Sequence, residues 1–122
     1  MCRAGIFEIE RQGETVIFTP TTNLSELEYV ESNARGVIDV LCDLSIKNLV
    51  IDFQKTDYFG SSALELFVKL WKMVTQRDGR MAVCNLSENQ HEILRTTKLG
   101  SLWPICVSRG DAMKAVEARN AD

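Results

Sequence analysis

Two adjacent serines, Ser61 and Ser62, follow the loop Gln54–Phe59 and open a long helical pattern. Hydroxyls placed there meet unpaired N–H groups and the positive end of a helix dipole. Such a place suits a capping bond or a phosphate. Ser62-Ala63-Leu64-Glu65 has the spacing of a capping box, in which the hydroxyl accepts from the Glu65 N–H and the carboxylate reaches back. A cap of that kind contributes about 1 kcal/mol, and Glu65 can pair with Lys69 one turn on. A phosphate at this helix start would gain from the same dipole. On the residues alone, both readings stand.

Other chemistry finds little support. A serine nucleophile needs a base oriented by a third group. His91, the single histidine, lies between Gln90 and Glu92 on a helical segment and reads as a solvated surface residue. Gly60-Ser61-Ser62-Ala63-Leu64 lacks the second glycine of a G-x-S-x-G elbow, so no enzyme is expected. Asp52 ends an apolar run and Asp57 stands in the loop, with no third acidic residue at metal-ligand spacing. The two glycine-rich phosphate motifs are missing. Cys2, Cys42, Cys84 and Cys106 form no C-x-x-C pair and no ligand set with His91. The last three fall in apolar patterns and are expected as buried thiols, with Cys2 exposed. Neither a metal nor a cofactor is expected. Of the aromatics near the serines, Phe59 should plug the core beneath the loop and Trp71 should pack. Tyr58 is divided between core and interface.

The elements that must position these residues are legible from periodicity. Ile6–Glu10 and Thr15–Phe18 read as a hairpin around Gln12-Gly13. Helical spacing runs over 23–43, with Ser25 and Glu28 as a capping box. Asn48–Phe53 is a continuous apolar strand, as in a sheet covered on both faces. A second helix spans Ala63–Gln76 and stops at Asp78-Gly79. Arg80–Cys84 is a strand, and Ser87 with Gln90 caps a helix to Lys98 that Gly100 ends. Trp103–Val107 is a short last strand, and Ser108 with Asp111 opens a terminal helix fading near Ala118. The order β-β-α-β-α-β-α-β-α predicts a single α/β domain with a mixed, mostly parallel sheet of about five strands and about four helices. Right-handed crossovers would lay helices over the sheet. The domain is placed at 5–118, with 1–4 and 119–122 as flexible termini.

The 122 residues suffice for one domain with a real core. With 45% hydrophobic and 25% charged residues, the chain has globular composition. A net charge of -3 without a basic block makes nucleic acid an unexpected partner. The sequence holds no apolar run of the roughly 20 residues a bilayer crossing needs, and no secretory signal core opens it. Membrane insertion is not expected, and the cytoplasm is.

From about Ile6 to Val116 the chain resembles a STAS domain, the fold of bacterial anti-sigma factor antagonists and of sulfate-transporter tails. The resemblance rests on Leu49-Val50-Ile51-Asp52-Phe53, the Ser61-Ser62 loop, Arg77–Cys84 and Thr97–Ile105, taken in order. In phospho-switched members the second hydroxyl of an Asp-Ser-Ser-Gly or Asp-Ser-Thr-Gly loop takes the phosphate. Here the motif falls on Gly60-Ser61-Ser62-Ala63, so Ser62 matches the phosphoacceptor, while the acidic residue and the glycine are replaced. An assisting Asp of the family has Asn23 as its nearest counterpart. The resemblance implies a protein-binding module whose partner is an anti-sigma factor of the serine-kinase type. Its contact surface would draw on Asn23, Ser25, Asp57, Tyr58, Gly60, Ser61 and Ser62, with Glu65 and Lys69 on the following helix. A monomer or weak dimer is implied. The alternative is an unphosphorylated STAS subunit that regulates or scaffolds a membrane transport complex of the ABC or sulfate type.

Overall fold

A computed structural model describes residues 2–4, 7–22 and 27–117. Among these residues the order is β1 (Cys2–Ala4), β2 (Phe7–Gln12), β3 (Thr15–Pro20), α1 (Leu27–Leu41), β4 (Asn48–Asp52), α2 (Ser61–Thr75), β5 (Met81–Cys84), α3 (Glu88–Thr97), a 3-10 turn at Leu99–Ser101, β6 (Ile105–Cys106) and α4 (Arg109–Glu117). The strands lie in the sheet in sequence order, β1 through β6. β1–β2–β3 are antiparallel, and β3–β4–β5–β6 are parallel. The expected mixed, mostly parallel α/β sheet is present. Its sixth strand, β1, comes from the segment expected as a flexible N-terminus.

Alternation along the strands sorts the core into two faces. Val16 and Phe18 of β3, Leu49 and Ile51 of β4, and Met81 and Val83 of β5 meet Val37 and Leu41 of α1, Phe67, Leu70 and Val74 of α2, and Leu94 of α3. The intervening Ile17, Val50, Ala82 and Cys84 meet Ala112 and Val116 of α4. β3 and β4 are buried along their whole lengths because each lies between helices on both sides. Parallel strands laid down in order with right-handed crossovers send α1, α2 and α3 to one face. α4 closes the other.

Several local expectations need correction. The hairpin turns at Gly13-Glu14, with Gly13 at φ +63°, the first turn position where a hairpin favours glycine. α3 ends on Lys98, itself left-handed at φ 63°, and not on Gly100. Gly100 serves packing, since a Cβ there would lie 3.2 Å from Ile105 Cδ1. The capping box expected at Ser25 lies outside the described residues. Cys42 follows the last buried residue of α1 and is exposed, against expectation, whereas Cys84 is buried and Cys106 half-buried. Gly79 has no freedom at all: a Cβ there would stand 1.6 Å from the Lys47 carbonyl oxygen.

Candidate functional site

The loop between β4 and α2 is held at its root by a carboxylate that never meets water. Asp52 is 0% exposed, because it ends a central strand beneath α4. Its Oδ2 accepts from Arg109 Nε at 2.9 Å and from Gln54 Nε2 at 3.1 Å. Its Oδ1 accepts from the Gln54 N–H and from Asn85 Nδ2, both at 3.0 Å. Arg109 also donates to Glu10 Oε1 and Thr19 Oγ1, each at 3.2 Å, so the first residue of α4 ties three strands together. Burial works against the Arg109 charge, but Asp52 and Glu10 outweigh it and raise its pKa. Burial, reinforced by Asp52, pushes the neighbouring Cys84 thiol up to about 12. That thiol is inert near neutrality.

The loop is fixed at three further points. Lys55 Nζ donates to both Glu8 carboxylate oxygens, at 2.9 and 3.0 Å. Thr56 and Asp57 are bonded to the start of α3. Phe59 is buried as expected, its ring 5.1 Å from Phe53 and 5.5 Å from Phe67. Between these anchors Asp57 and Tyr58 face solvent, Tyr58 with 43% of its surface. Tyr58 therefore belongs to the surface and not to the core.

α2 begins one residue earlier than a Ser62 cap requires. Gly60, extended at φ -96° and ψ -177°, is its N-cap, and the Leu64 N–H donates to the Gly60 carbonyl at 3.1 Å. Ser61 and Ser62 are the first and second helical residues. The expected capping box of Ser62 and Glu65 is thus not formed. This start turns Ala63, Phe67, Leu70 and Val74 into the core. Ser62 is half-buried, and Glu65 and Lys69 are exposed farther along the helix.

Thr21 and Thr22 at the end of β3 face Gln54–Asp57 across an open groove of about 430 Å³. Asp57 is the one expected contact residue in its lining; Ser62 stands outside it. Asn23 and Ser25 lie outside the described residues. His91 is exposed on α3. Among the described residues no three His, Cys, Asp or Glu side chains gather as metal ligands would, and no helix is long and apolar enough to cross a membrane. Because α1, α2 and α3 share one face, the parallel strands have no topological switch point among the described residues, and the groove at the carboxyl ends of β3 and β4 lies open to solvent. The loops there make a rim, which suits a macromolecular contact better than an enclosed ligand.

A family model described as the STAS domain matches residues 6–112. The chain belongs to the STAS domain family. Among its relatives is the anti-sigma F factor antagonist of Paenibacillus polymyxa, 25% identical over 71 residues, 58% of this chain and 61% of that relative's length. A Thermotoga maritima protein of known structure superposes with a TM-score of 0.83 at 20% identity, over 91% of this chain and 94% of that one. The anti-sigma factor antagonist SpoIIAA superposes at 18% identity over 88% of this chain in both its forms. The TM-score is 0.76 for the unphosphorylated form, over 93% of that chain, and 0.69 for the phosphorylated Bacillus form, over 96%. At such identities these likenesses speak for the STAS fold.

Sequence reasoning singled out Asp57, Tyr58, Gly60, Ser61 and Ser62, and one loop–helix junction of this STAS domain carries them all. It missed Arg109, Asn85 and Thr56, whose partners are 30 or more residues away. Ser87 and Gln90 were legible as a cap, but nothing in their spacing tells that they reach the loop.

Proposed function

We propose that this protein is a partner-switching regulatory module that binds an anti-sigma factor of the serine-kinase type, frees the sigma factor that partner holds, and has no catalysis of its own. The observation that carries the reading is the junction itself: Asp57 and Tyr58 are exposed at its tip while the loop beneath is bonded to Asp52, Glu8 and the start of α3. STAS membership and the likeness to the anti-sigma F factor antagonist of Paenibacillus polymyxa support an anti-sigma factor as the partner.

Ser62 is the phosphoacceptor in this reading. The N-cap role belongs to Gly60, so helix capping no longer accounts for a serine at 62. A phosphate at the second helical residue lies where the dipole favours negative charge. Glu65, one turn on, opposes it, and Lys55 is already engaged with Glu8. The added charge would fall on the docking rim and drive the partner off by repulsion and desolvation.

The first prediction tests both parts. Binding to the anti-sigma factor captured from the native cell should weaken more than about tenfold, roughly 1.4 kcal/mol, in Ser62→Asp. Ser62→Ala should bind like the wild type. Equal binding by all three forms would move the contact elsewhere, and capture of a transporter subunit instead would replace the partner class.

A further inference from the structure

We propose that Ser87 and Gln90, the capping box of α3, are positioning residues for the loop that carries Asp57 and Tyr58, an inference that rests on reading this loop as the docking tip. The capping box is complete: Ser87 Oγ accepts from the Gln90 N–H at 3.1 Å, and Gln90 Oε1 accepts from the Ser87 N–H at 3.0 Å. Those bonds use only the hydroxyl lone pair and the amide oxygen. The hydroxyl proton and the amide nitrogen both reach the loop. Ser87 Oγ donates to the Asp57 carbonyl at 2.7 Å, and Gln90 Nε2 donates to Thr56 Oγ1 at 3.0 Å. Thr56 Oγ1 in turn donates to the Phe53 carbonyl at 3.3 Å.

Helix capping alone does not require burial, yet Gln90 is 0% exposed. Burying a primary amide is tolerated only when its hydrogen bonds are satisfied, and the loop supplies the acceptor that capping leaves out. One motif therefore ends a helix and clamps its neighbour. The tip is set relative to α3 before any partner arrives, which spares the ordering of a loop on association.

Amide hydrogen exchange on the free protein tests the clamp. Ser87→Asp keeps an N-cap acceptor but has no proton for the Asp57 carbonyl. Thr56→Val keeps the side-chain shape and removes the acceptor of Gln90. In each, amides over 54–59 should exchange roughly fivefold to tenfold faster, while those of α3 keep their wild-type protection. Ser87→Thr and Thr56→Ser, which restore the hydroxyls, should return the loop to wild-type rates. Unaltered loop exchange in both variants, or loosening of α3 and β4 by the same factor as the loop, overturns the proposal. The readout needs no partner, so its failure removes the clamp and leaves docking untouched. A loosened loop beside undiminished binding by Ser62→Asp supports the clamp and removes docking alone.

Discussion

Asp52 shows how much one side chain can carry. Removing Arg109 would strand a carboxylate that is wholly out of water, with only Gln54 and Asn85 as donors. Arg109→Met should lower unfolding free energy by roughly 3 kcal/mol, the low end for a broken buried pair because the guanidinium is partly in water. Urea unfolding checks this; a loss below about 1 kcal/mol would mean the pair is structurally idle. Thiols give an independent reading at the same scale. In a Cys2→Ser background, Cys42 should react with a thiol reagent in the native protein, and Cys84 only on unfolding, since burial pushes its pKa to about 12. Cys42 continues an apolar pattern in the sequence yet is exposed, because periodicity does not say at which residue a helix lets go of the sheet.

At the scale of elements, the loop–helix junction is a tether between β4 and α2 with Phe59 as its plug. Phe53, Phe59 and Phe67 form a ring cluster with centroids 5.1 to 5.5 Å apart. Phe59→Ala should cost about 3 to 5 kcal/mol, read as a shift of the urea midpoint; a shift worth less than about 1 kcal/mol would place the ring outside the cooperative core. Its burial was legible because an apolar residue so near a helix start had little else to do. The start of α2 was not. Ser62-x-x-Glu65 satisfies the capping-box spacing, but the helix that turns Ala63 and Phe67 inward begins at Ser61 and takes Gly60 as its cap. Tertiary packing overrode a local preference of about 1 kcal/mol.

For the molecule as a whole, charge limits stability at both ends of the pH scale. Asp43 lies below its ordinary pKa through bonds from Ser45, and Glu10 through Gln12 and Arg109. A carboxyl whose folded pKa is depressed binds protons more weakly than in the unfolded chain, so its contribution is present above about pH 4.5 and lost in more acid solution. Cys84 acts in the opposite sense. Its folded pKa of about 12 exceeds the ordinary thiol value of 9.0, so its contribution is full below pH 9 and lost as pH rises towards 12. Burial raises Cys106 the same way. Unfolding free energy should therefore fall faster between pH 9 and 12 in the wild type than in Cys84→Ala; parallel slopes would contradict the assignment.

The order of strands and helices from β2 onward, the doubly covered strand β4, the buried plug at Phe59 and the serine-bearing loop could all be read from the chain. Each depends on periodicity or turn chemistry within one or two elements, interactions that short stretches of sequence encode. β1, the clamp from Ser87 and Gln90 to Thr56 and Asp57, and the Asp52–Arg109 hub were decided only by tertiary structure. A lone arginine at a helix start or a polar residue mid-loop carries no local sign of a partner 30 to 57 residues away. Those pairings exist because sheet order and the placement of α3 and α4 bring distant donors to one strand end, where buried polar groups must find each other once water is excluded.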